Sequence, residues 1–410
     1  MCAKLTIAKA VIGASYGDEG KGRVVDWLAA RHGPRALVVR SNGGAQAAHT
    51  VVRGDRRHVF HHLGSATMNG ARTHLSRFMV SHPILLEEEL AALRVLGCDP
   101  LISADPRGMV TTPWDMMINQ AIEIARDGKR HGSCGLGFGE TVGRNEETQY
   151  GLTVADLHAP DLRAKLVSIR DSWLPARMKA LGLEAGFGPL EFAHSGALLA
   201  NFLAQCAAFT RAVTLREDAS LGDEEALIFE GAQGLMLDQR HRDFPFVTRS
   251  NTGMANIAAI AAEAGIAEVE PVYVTRCYLT RHGRGPMEDE RDITPWFAVD
   301  DPTNRPNPWQ ESLRFGLIDP ALLGERVRAD CADIPVAVRP ALAITCFDQV
   351  TNALAWLDAG RVISGDAYGF VDALSDASGM VPIAHFYSPD NISADELKSR
   401  CAENRKLAMR

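Results

Sequence analysis

Residues 17–22, Gly-Asp-Glu-Gly-Lys-Gly, place three glycines, two carboxylates and a lysine between two apolar segments. Residues 5–13 before them form an apolar run of strand length, and residues 23–30 after them have the spacing of a helix. Glycines allow a tight turn that offers backbone N–H groups to an anion, and Lys21 adds a positive charge. The stretch therefore predicts a polar turn of the kind that holds phosphate at the end of a strand.

The same stretch has a simpler explanation, because many glycine-rich turns between a strand and a helix bind nothing. It is not a Walker A loop, since Gly22 follows Lys21 where a serine or threonine would contact magnesium. Asp18 favours a function, because a carboxylate beside phosphate-binding elements repels phosphate unless it binds a metal or transfers a proton. On this stretch alone, a functional turn and a plain turn both stay open.

The net charge of −8 over 410 residues argues against a general nucleic-acid-binding protein, which needs many Lys and Arg contacts to phosphate. No apolar run approaches membrane-spanning length, and Lys4 and Lys9 interrupt the N-terminal segment where a signal peptide would be apolar. The eight cysteines form no CxxC pair and no zinc-finger spacing, which indicates reduced thiols. We expect a cytoplasmic protein with no nucleic-acid or membrane partner.

Strand-like and helix-like segments alternate along the chain, which is typical of an α/β protein. Strands are predicted at residues 36–40, 226–229, 272–274 and 342–345, and helices at 83–96, 114–126, 196–211 and 255–264. We expect a large, mainly parallel central sheet with helices on both faces. Its organisation is predicted as a single domain over residues 1–410 with an inserted helical subregion at about 83–225, and the proline-rich residues 301–308 are predicted to form a surface loop or a linker.

Polar clusters follow several of the predicted strands. Residues 40–50 contain Gln46 and His49, residues 229–234 contain Gln233, and residues 247–252 contain Thr248. Open α/β sheets bind ligands at the carboxyl ends of their strands, where these clusters would meet. A single histidine is more often structural than catalytic, so His49 alone leaves both roles open.

Together the clusters resemble the hallmark motifs of the adenylosuccinate synthetase family. Residues 16–22 resemble its WGDEGKG turn, residues 43–50 its GGxNAGHT loop, residues 229–234 its FEGAQG turn and residues 244–252 its YPYVTSSNT segment. Residues 62–65 and 278–286 are similar to its HLIPSG and AYSTRVGAGP segments. The motifs occur in the family order, and the resemblance extends from about residue 8 to about residue 290.

The resemblance implies a fold related to P-loop NTPases and a GTP- and magnesium-dependent ligase that forms a C–N bond. The family aspartate matching Asp18 removes the N1 proton of IMP, so that the 6-oxygen attacks the γ-phosphate of GTP. The histidine matching His49 stabilises and protonates the transferring phosphoryl group, Lys21 would help to neutralise its charge, and an amine then displaces phosphate.

Site residues follow from the same resemblance. It implies magnesium ligands at the Asp18 carboxylate and the Ala48 backbone carbonyl. It implies nucleotide-binding roles for Gly20, Lys21, Gly22, Gln46, His49, Thr50, Ser133, Cys134, Gln233, Thr248, Asp348 and Pro389.

The largest departure concerns the amino-acid substrate. The family has an arginine-rich loop, TTGRRRRTGW, whose guanidinium groups bind the carboxylates of aspartate. In this chain Glu311 and Leu313 stand where two of those arginines belong, only Arg314 is clearly retained, and Arg305 could substitute from a differently shaped loop. We therefore expect a second substrate other than aspartate.

Smaller departures fall in the nucleotide pockets. The guanine-binding TKLD motif appears as residues 345–348, which keep Asp348 but lose the lysine. The monophosphate loop GTTGRG appears as residues 132–137, with a hydroxyl at Ser133 and Leu136 in place of the arginine. Gln46 replaces the asparagine that touches the purine oxygen.

Two classes of function stay open on these grounds. One is an active ligase acting on a purine-type nucleoside monophosphate, GTP and an amino acid or other amine, with ordinary adenylosuccinate synthesis as a variant. The other is a degenerate nucleotide-binding protein without activity. The family is homodimeric with an arginine shared between subunits, so we expect a homodimer, in which Arg144 or Gln149 stands near the shared position.

Overall fold

A computed structural model of the chain describes residues 7–126, 133–184, 186–299 and 313–385. Its strands are β1 (Ile7–Gly13), β2 (Ala36–Arg40), β3 (His49–Arg53), β4 (Arg56–Phe60), β5 (Arg72–Leu75), β6 (Ile102–Ala104), β7 (Val213–Leu215), β8 (Ala226–Gly234), β9 (Glu268–Arg276), β10 (Leu279–Arg281), β11 (Arg314–Gly316), β12 (Ala337–Val338), β13 (Ala341–Thr345), β14 (Leu354–Asp358), β15 (Arg361–Gly365) and β16 (Val381–His385).

The α-helices alternate with these strands. They are α1 (Lys21–Ala29), α2 (Pro83–Val95), α3 (Pro113–Arg126), α4 (Phe138–Glu147), α5 (Val154–Leu157), α6 (Leu162–Ser168), α7 (Leu174–Leu181), α8 (Gly196–Ala212), α9 (Met254–Glu263), α10 (Pro320–Cys331) and α11 (Ala367–Ser378). None of the helices in the described ranges is long and apolar enough to cross a membrane.

One large sheet organises the described residues. Its strand order is β16-β13-β9-β1-β8-β2-β5-β6-β7, with β12 beside β9, and every pairing within it is parallel. Three antiparallel ribbons, β3-β4, β10-β11 and β14-β15, lie outside it. The predicted α/β class with a mainly parallel central sheet is confirmed.

Side chains of the central strands alternate between two buried layers. Ala10 and Ile12 of β1 pack in one apolar cluster with Ile257 of α9, whereas Val11 packs in another with Val24 of α1. A parallel sheet needs such cover, because βαβ connections place helices over both of its faces. The expectation of helices on both faces is therefore confirmed.

The region around residues 83–225 contains helices α2 to α8 and packs around an apolar cluster that also includes residues between Val51 and Met79. It also contributes β6 and β7, which extend the central sheet beyond β5. The assignment of this region as an insertion in a single domain stays a prediction. Residues 301–308, predicted to form a loop or linker, lie outside the described residues.

Candidate active site

The loops that follow β1, β2, β8 and β9 meet at one edge of the sheet, because parallel strands share the direction of their carboxyl ends. They border a cleft of about 420 Å³. Its lining includes eight of the residues proposed from the sequence: Asp18, Gln46, Ala48, His49, Ser133, Cys134, Gln233 and Thr248. Asp18 and Thr248, which are 230 positions apart in the sequence, therefore line the same cleft.

The turn after β1 is held together by Glu19. Its carboxylate accepts hydrogen bonds from the backbone N–H groups of Ser15 (3.0 Å) and Gly17 (2.8 Å), and its Oε2 lies 2.9 Å from the Lys21 Nζ. Lys21 is buried and also donates to the Gly17 carbonyl at 2.5 Å. Lys21 thus stabilises the turn through its contacts with Gly17 and Glu19. It is not among the residues that line the cleft.

The two glycines that flank Lys21 allow close approach of neighbouring elements. Gly20 has φ +88°, in the left-handed region that favours glycine, and caps the start of α1. A Cβ at Gly22 would lie 2.8 Å from both the His49 Cβ and the Ser65 Oγ. Gly22 therefore lets α1 pack directly behind His49.

Asp18 faces the cleft with its side chain 28% exposed, and its Oδ2 lies 3.2 Å from the His282 Nε2. Burial opposes ionisation of Asp18, but the His282 ring and the charges of Arg276 and Lys21 outweigh it, so the pKa of Asp18 is lowered. The backbone carbonyl of Asp18 also accepts a hydrogen bond from Arg276. Asp18 is consequently held as a carboxylate.

His49 is oriented by a buried carboxylate. Its Nδ1 lies 2.5 Å from Oε1 of Glu230, whose carboxylate also accepts hydrogen bonds from the backbone N–H and the hydroxyl of Ser65. Burial disfavours the charge on Glu230, yet Arg40, His49 and Ser65 lower the pKa of Glu230 to about 2. Because an ionised carboxylate only accepts, His49 Nδ1 carries the proton of this bond and Nε2 is left for a ligand.

The charge of the His49 ring follows from its surroundings. Burial lowers the pKa of His49 below the usual histidine value, and Arg40 and Lys21 lower it further, although Glu230 acts in the opposite direction. The ring is therefore neutral near pH 7 in the absence of ligand. An anionic group next to Nε2 would favour the protonated ring.

Two glutamines, Gln46 and Gln233, belong to the lining of the cleft. Both amide atoms of Gln46 are buried, and no described residue forms a hydrogen bond with either. Gln233 adopts a left-handed backbone with φ +64°, which is strained for a residue with a side chain and typical of functional sites. Its Oε1 would lie 3.2 Å from a Cβ at Gly17, so the turn after β1 packs directly against Gln233.

Thr50, at the second position of β3, has a buried hydroxyl oxygen, Oγ1, without a hydrogen-bond partner among the described residues.

The far wall of the cleft comes from α3 and from the loop before α4. Asn119 Nδ2 donates to Ser133 Oγ at 3.0 Å, which leaves the Ser133 hydroxyl hydrogen to donate elsewhere. Asn119 Oδ1 accepts from the Gly137 N–H at 3.2 Å and so fixes the loop to the helix. Burial raises the pKa of the Cys134 thiol, which is therefore neutral.

Some residues proposed from the sequence lie elsewhere. Asp348 is exposed in the turn after β13 and does not line the cleft. Arg314 donates to the carbonyls of Gly283 (2.9 Å) and Gly285 (2.7 Å) and pairs with Glu290, so it supports a loop of the cleft. Arg305, Glu311 and Pro389 lie outside the described residues.

Arg144, considered for a contact to a second subunit, is 1% exposed. Its guanidinium forms paired hydrogen bonds with Asp115 and also donates to the carbonyls of Val110 and Tyr150. These bonds satisfy the Arg144 guanidinium inside its own chain, which argues against Arg144 as the residue shared between subunits and leaves Gln149 as the other candidate.

Sequence reasoning missed Glu230, His282 and Asn119. Glu230 and His282 lie within recognised motifs, but their roles depend on which strands end beside each other, as in the pairing of Arg40 with Glu230 across β2 and β8. Asn119 lies in a predicted helix, where no local signal distinguishes an amide that faces a ligand site from one that faces solvent.

The charge of the cleft differs from that of the chain. Within the described residues its lining contains four arginines, Arg126, Arg249, Arg281 and Arg284, and three carboxylates, Asp18, Glu123 and Glu140. The chain as a whole carries a net charge of −8. The histidines at 49 and 282 can add positive charge when protonated, so the cleft is suited to an anionic ligand.

Comparison with known proteins agrees with this geometry. The family model described as adenylosuccinate synthetase matches residues 10–303. The adenylosuccinate synthetase of Myxococcus xanthus is 33% identical over 292 residues, which cover 68% of this chain and 65% of that relative. The adenylosuccinate synthetase of Dichelobacter nodosus is 32% identical over 356 residues, which cover 83% of this chain and 75% of that relative. The match thus spans about two thirds of the Myxococcus protein.

Solved structures share the fold. Fully ligated adenylosuccinate synthetase from Plasmodium falciparum superposes with a TM-score of 0.71 at 18% identity, covering 94% of this chain and 98% of that one. Succinoaminodeoxyadenylate synthetase from cyanophage S-2L, bound to dGMP and to dATP as an energy donor, gives a TM-score of 0.61 at 15% identity, covering 98% and 99%. At these identities the superpositions establish the fold alone.

Proposed function

Because this chain is a member of the adenylosuccinate synthetase family, we propose that it is a GTP- and magnesium-dependent ligase that joins an amine to C6 of a purine-type nucleoside monophosphate. The observation that carries this proposal is the convergence of a carboxylate, a carboxylate-bound histidine and two glutamines on one cleft, at Asp18, His49, Gln46 and Gln233. A fold kept only as a scaffold has no need for this combination.

The first step activates the purine. The Asp18 carboxylate accepts the N1 proton of a 6-oxopurine, and the 6-oxygen attacks the γ-phosphorus while the bond between that phosphorus and GDP breaks. The lowered pKa of Asp18 keeps its carboxylate ionised at neutral pH, so the group has a free site for the proton. We assign Gln46 and Gln233, which belong to the lining of the cleft, to holding the purine in position.

The second step replaces the oxygen. The amine attacks C6, and the C6–oxygen bond breaks to release the oxygen as part of inorganic phosphate, which takes up the proton that the amine nitrogen loses. In this proposal His49 Nε2 hydrogen-bonds the phosphoryl oxygens, and Glu230, which lies against Nδ1, stabilises the imidazolium that forms. The neutral ring of the free protein would take up its second proton when the anionic nucleotides bind.

The residues of the cleft fit Mg²⁺ that arrives with nucleotide phosphates. No group of three metal-binding side chains occurs in the described ranges, and Mg²⁺ is commonly bound by one or two carboxylates together with substrate phosphates. Asp18, as an ionised carboxylate, and the Ala48 carbonyl, at an exposed residue of the lining, would hold it. Bound Mg²⁺ would neutralise charge that develops on the phosphates.

The second substrate is proposed to differ from aspartate. The substitutions at Glu311 and Leu313 remove two of the arginines that bind its carboxylates in the family. Arg314 supports the proposal as well, because its guanidinium is engaged by loop carbonyls and Glu290. Ordinary adenylosuccinate synthesis, with Arg305 supplying the missing contact, is the alternative within the same chemistry.

A substrate screen tests the proposal. Purified protein with Mg²⁺ and GTP is combined with IMP, GMP or dGMP and with aspartate, other amino acids or small amines, and released phosphate is measured. ATP and dATP belong in the panel, because the cyanophage relative was solved with dATP as its energy donor. We expect release only when nucleotide, donor and amine are all present.

The variants Asp18→Asn and His49→Ala give the controls. Each should reduce phosphate release by about 100-fold or more, since each removes a group that transfers or stabilises charge in the reaction. Release that persists in both variants would refute the mechanism. Turnover of IMP with aspartate would identify ordinary adenylosuccinate synthesis, and thermal stabilisation by nucleotides without any release would identify a non-catalytic binding protein.

A further inference from the structure

Arg249 lies in the lining of the cleft, directly after Thr248, at a position where the family motif YPYVTSSNT has serine. Its Nη2 lies 2.5 Å from the Glu147 Oε1 and 3.6 Å from the Glu146 Oε2. Across from it, a Cβ at Gly143 would lie 3.1 Å from the Nη1 of Arg249, so the absence of a side chain there leaves room for the guanidinium.

The loop that the resemblance assigns to the monophosphate lacks the positive charge of its family counterpart. Leu136 stands where the family loop carries arginine, and Arg144 is buried with its hydrogen bonds satisfied by its own chain. The hydroxyl of Ser133 and the Thr248 side chain offer hydrogen bonds in this lining but no charge. A phosphate bound there needs a cation from another source.

Arg249 can change partners at little cost. Its side chain is 37% exposed and those of Glu146 and Glu147 are 54% and 63% exposed, so water screens both ion pairs. A phosphate dianion offers a guanidinium paired, charge-assisted hydrogen bonds and a larger charge than either carboxylate. The side chain of Arg126 is also 37% exposed, but its partner Glu123 is 1% exposed, so water screens that ion pair less than the pairs of Arg249.

We propose that Arg249 binds the phosphate group of the nucleoside monophosphate, replacing Glu146 and Glu147 with the ligand, and so makes the cleft prefer a monophosphate over a nucleoside. This inference rests on the proposed function, since it assigns a residue to the nucleotide of that reaction. The positive charge for the phosphate then comes from Arg249, on the segment after β8, because the loop that carries Leu136 has lost its arginine.

The test compares IMP with inosine, and GMP with guanosine, by isothermal titration calorimetry on the full chain. In Arg249→Ser, the preference for the monophosphate, expressed as the ratio of the two dissociation constants, should fall at least about tenfold, while affinity for the nucleoside stays nearly constant. Arg249→Lys should restore part of the preference, because lysine keeps the charge without the paired donors. Glu147→Gln should strengthen monophosphate binding about two- to threefold by removing a competitor.

Arg284→Ala is the matched control, because it removes another exposed arginine from the same cleft. It should change the preference by less than about threefold, as expected for a screened charge that does not touch the phosphate. An equal loss in Arg284→Ala and Arg249→Ser, or an unchanged preference in Arg249→Ser, overturns the assignment of Arg249 alone. A wild-type protein that binds none of these monophosphates overturns the proposed function and this assignment together.

Discussion

At the scale of single residues, the site depends on buried carboxylates that hold other groups in place. Glu230 fixes His49, Glu19 fixes the turn after β1, and Glu89 accepts hydrogen bonds from three consecutive backbone N–H groups, at residues 61–63. Each carboxylate has several donors, which offset the cost of burying its charge. Residues that never touch a ligand therefore set the chemistry of those that do.

Glu230→Gln tests this dependence. An amide cannot stabilise the imidazolium of His49 as a carboxylate does, so we expect turnover to fall about 10- to 100-fold, while nucleotide affinity changes less than about threefold. Turnover and the dissociation constant are measured separately in the reaction identified by the substrate screen. Glu268→Gln, at the opposite end of the sheet, should leave turnover unchanged. Full activity in Glu230→Gln would show that the pairing is only structural.

His82 gives a prediction about pH and stability. Burial, together with the nearby His62, lowers the pKa of His82 to about 3. In the unfolded chain the ring takes up a proton near pH 6.5, but in the folded protein it stays neutral until about pH 3. Between these values the unfolded state binds one more proton, so the stability of the native protein decreases as pH falls.

His82→Asn removes this titration and keeps an N-cap residue at the start of α2, where His82 accepts from the Leu85 N–H. From pH 6 to pH 4, the wild-type free energy of unfolding should fall about 1.4 kcal/mol per pH unit faster than that of the variant. Urea unfolding at several pH values measures the difference in slope. The control is His194→Asn, which changes an exposed histidine and should keep the wild-type slope. Identical slopes in the wild type and both variants would contradict a neutral His82 ring in the folded protein.

The residues nearest the chemistry were the most predictable. Asp18, His49 and Gln233 lie in motifs that a single sequence displays, and the cleft brings them together. His282 and Glu230 could not be assigned in the same way, because their effect arises from the ends of different strands meeting in space.

At the scale of elements, apolar periodicity located the central strands and long helices, although β8 and β9 are each longer than the predicted residues 226–229 and 272–274. β2 begins and ends as predicted, and α2 and α3 differ from their predictions by one residue. Helix α1 begins at Lys21, two residues before the apolar pattern, because Gly20 supplies the left-handed turn that starts it. The short ribbons β3-β4, β10-β11 and β14-β15 were not predicted, since their strands are brief and partly polar.

Gly22→Ala tests the close packing of α1 behind His49. A Cβ there would come within 2.8 Å of His49 and Ser65, which both contact Glu230, so we expect His49 to shift and turnover to fall about tenfold or more. Gly196→Ala, in the first turn of α8 with open space around it, is the matched control and should be neutral or slightly stabilising. Equal turnover in the two variants would show that the contact is tolerated.

At the scale of the whole molecule, the parallel sheet explains why distant motifs form one site. Parallel pairing sends the carboxyl ends of β1, β2, β8 and β9 to one edge, and only tertiary structure reveals which loops then face each other. The domain assignment, the homodimer and the cytoplasmic location stay predictions. Because Arg144 is satisfied within its own chain, we expect no partner's Arg144 to be needed in the cleft.

The path of the purine oxygen tests the central claim most directly. A nucleoside monophosphate labelled with ¹⁸O at C6 is converted with the donor and amine found in the screen, and the released phosphate is examined by ³¹P NMR for its isotope shift. If Asp18 activates the 6-oxygen for phosphoryl transfer, every released phosphate carries one ¹⁸O atom from the purine. Phosphate released at the same rate without the label would show that water, not the purine, attacks the donor, and would contradict the proposed ligase.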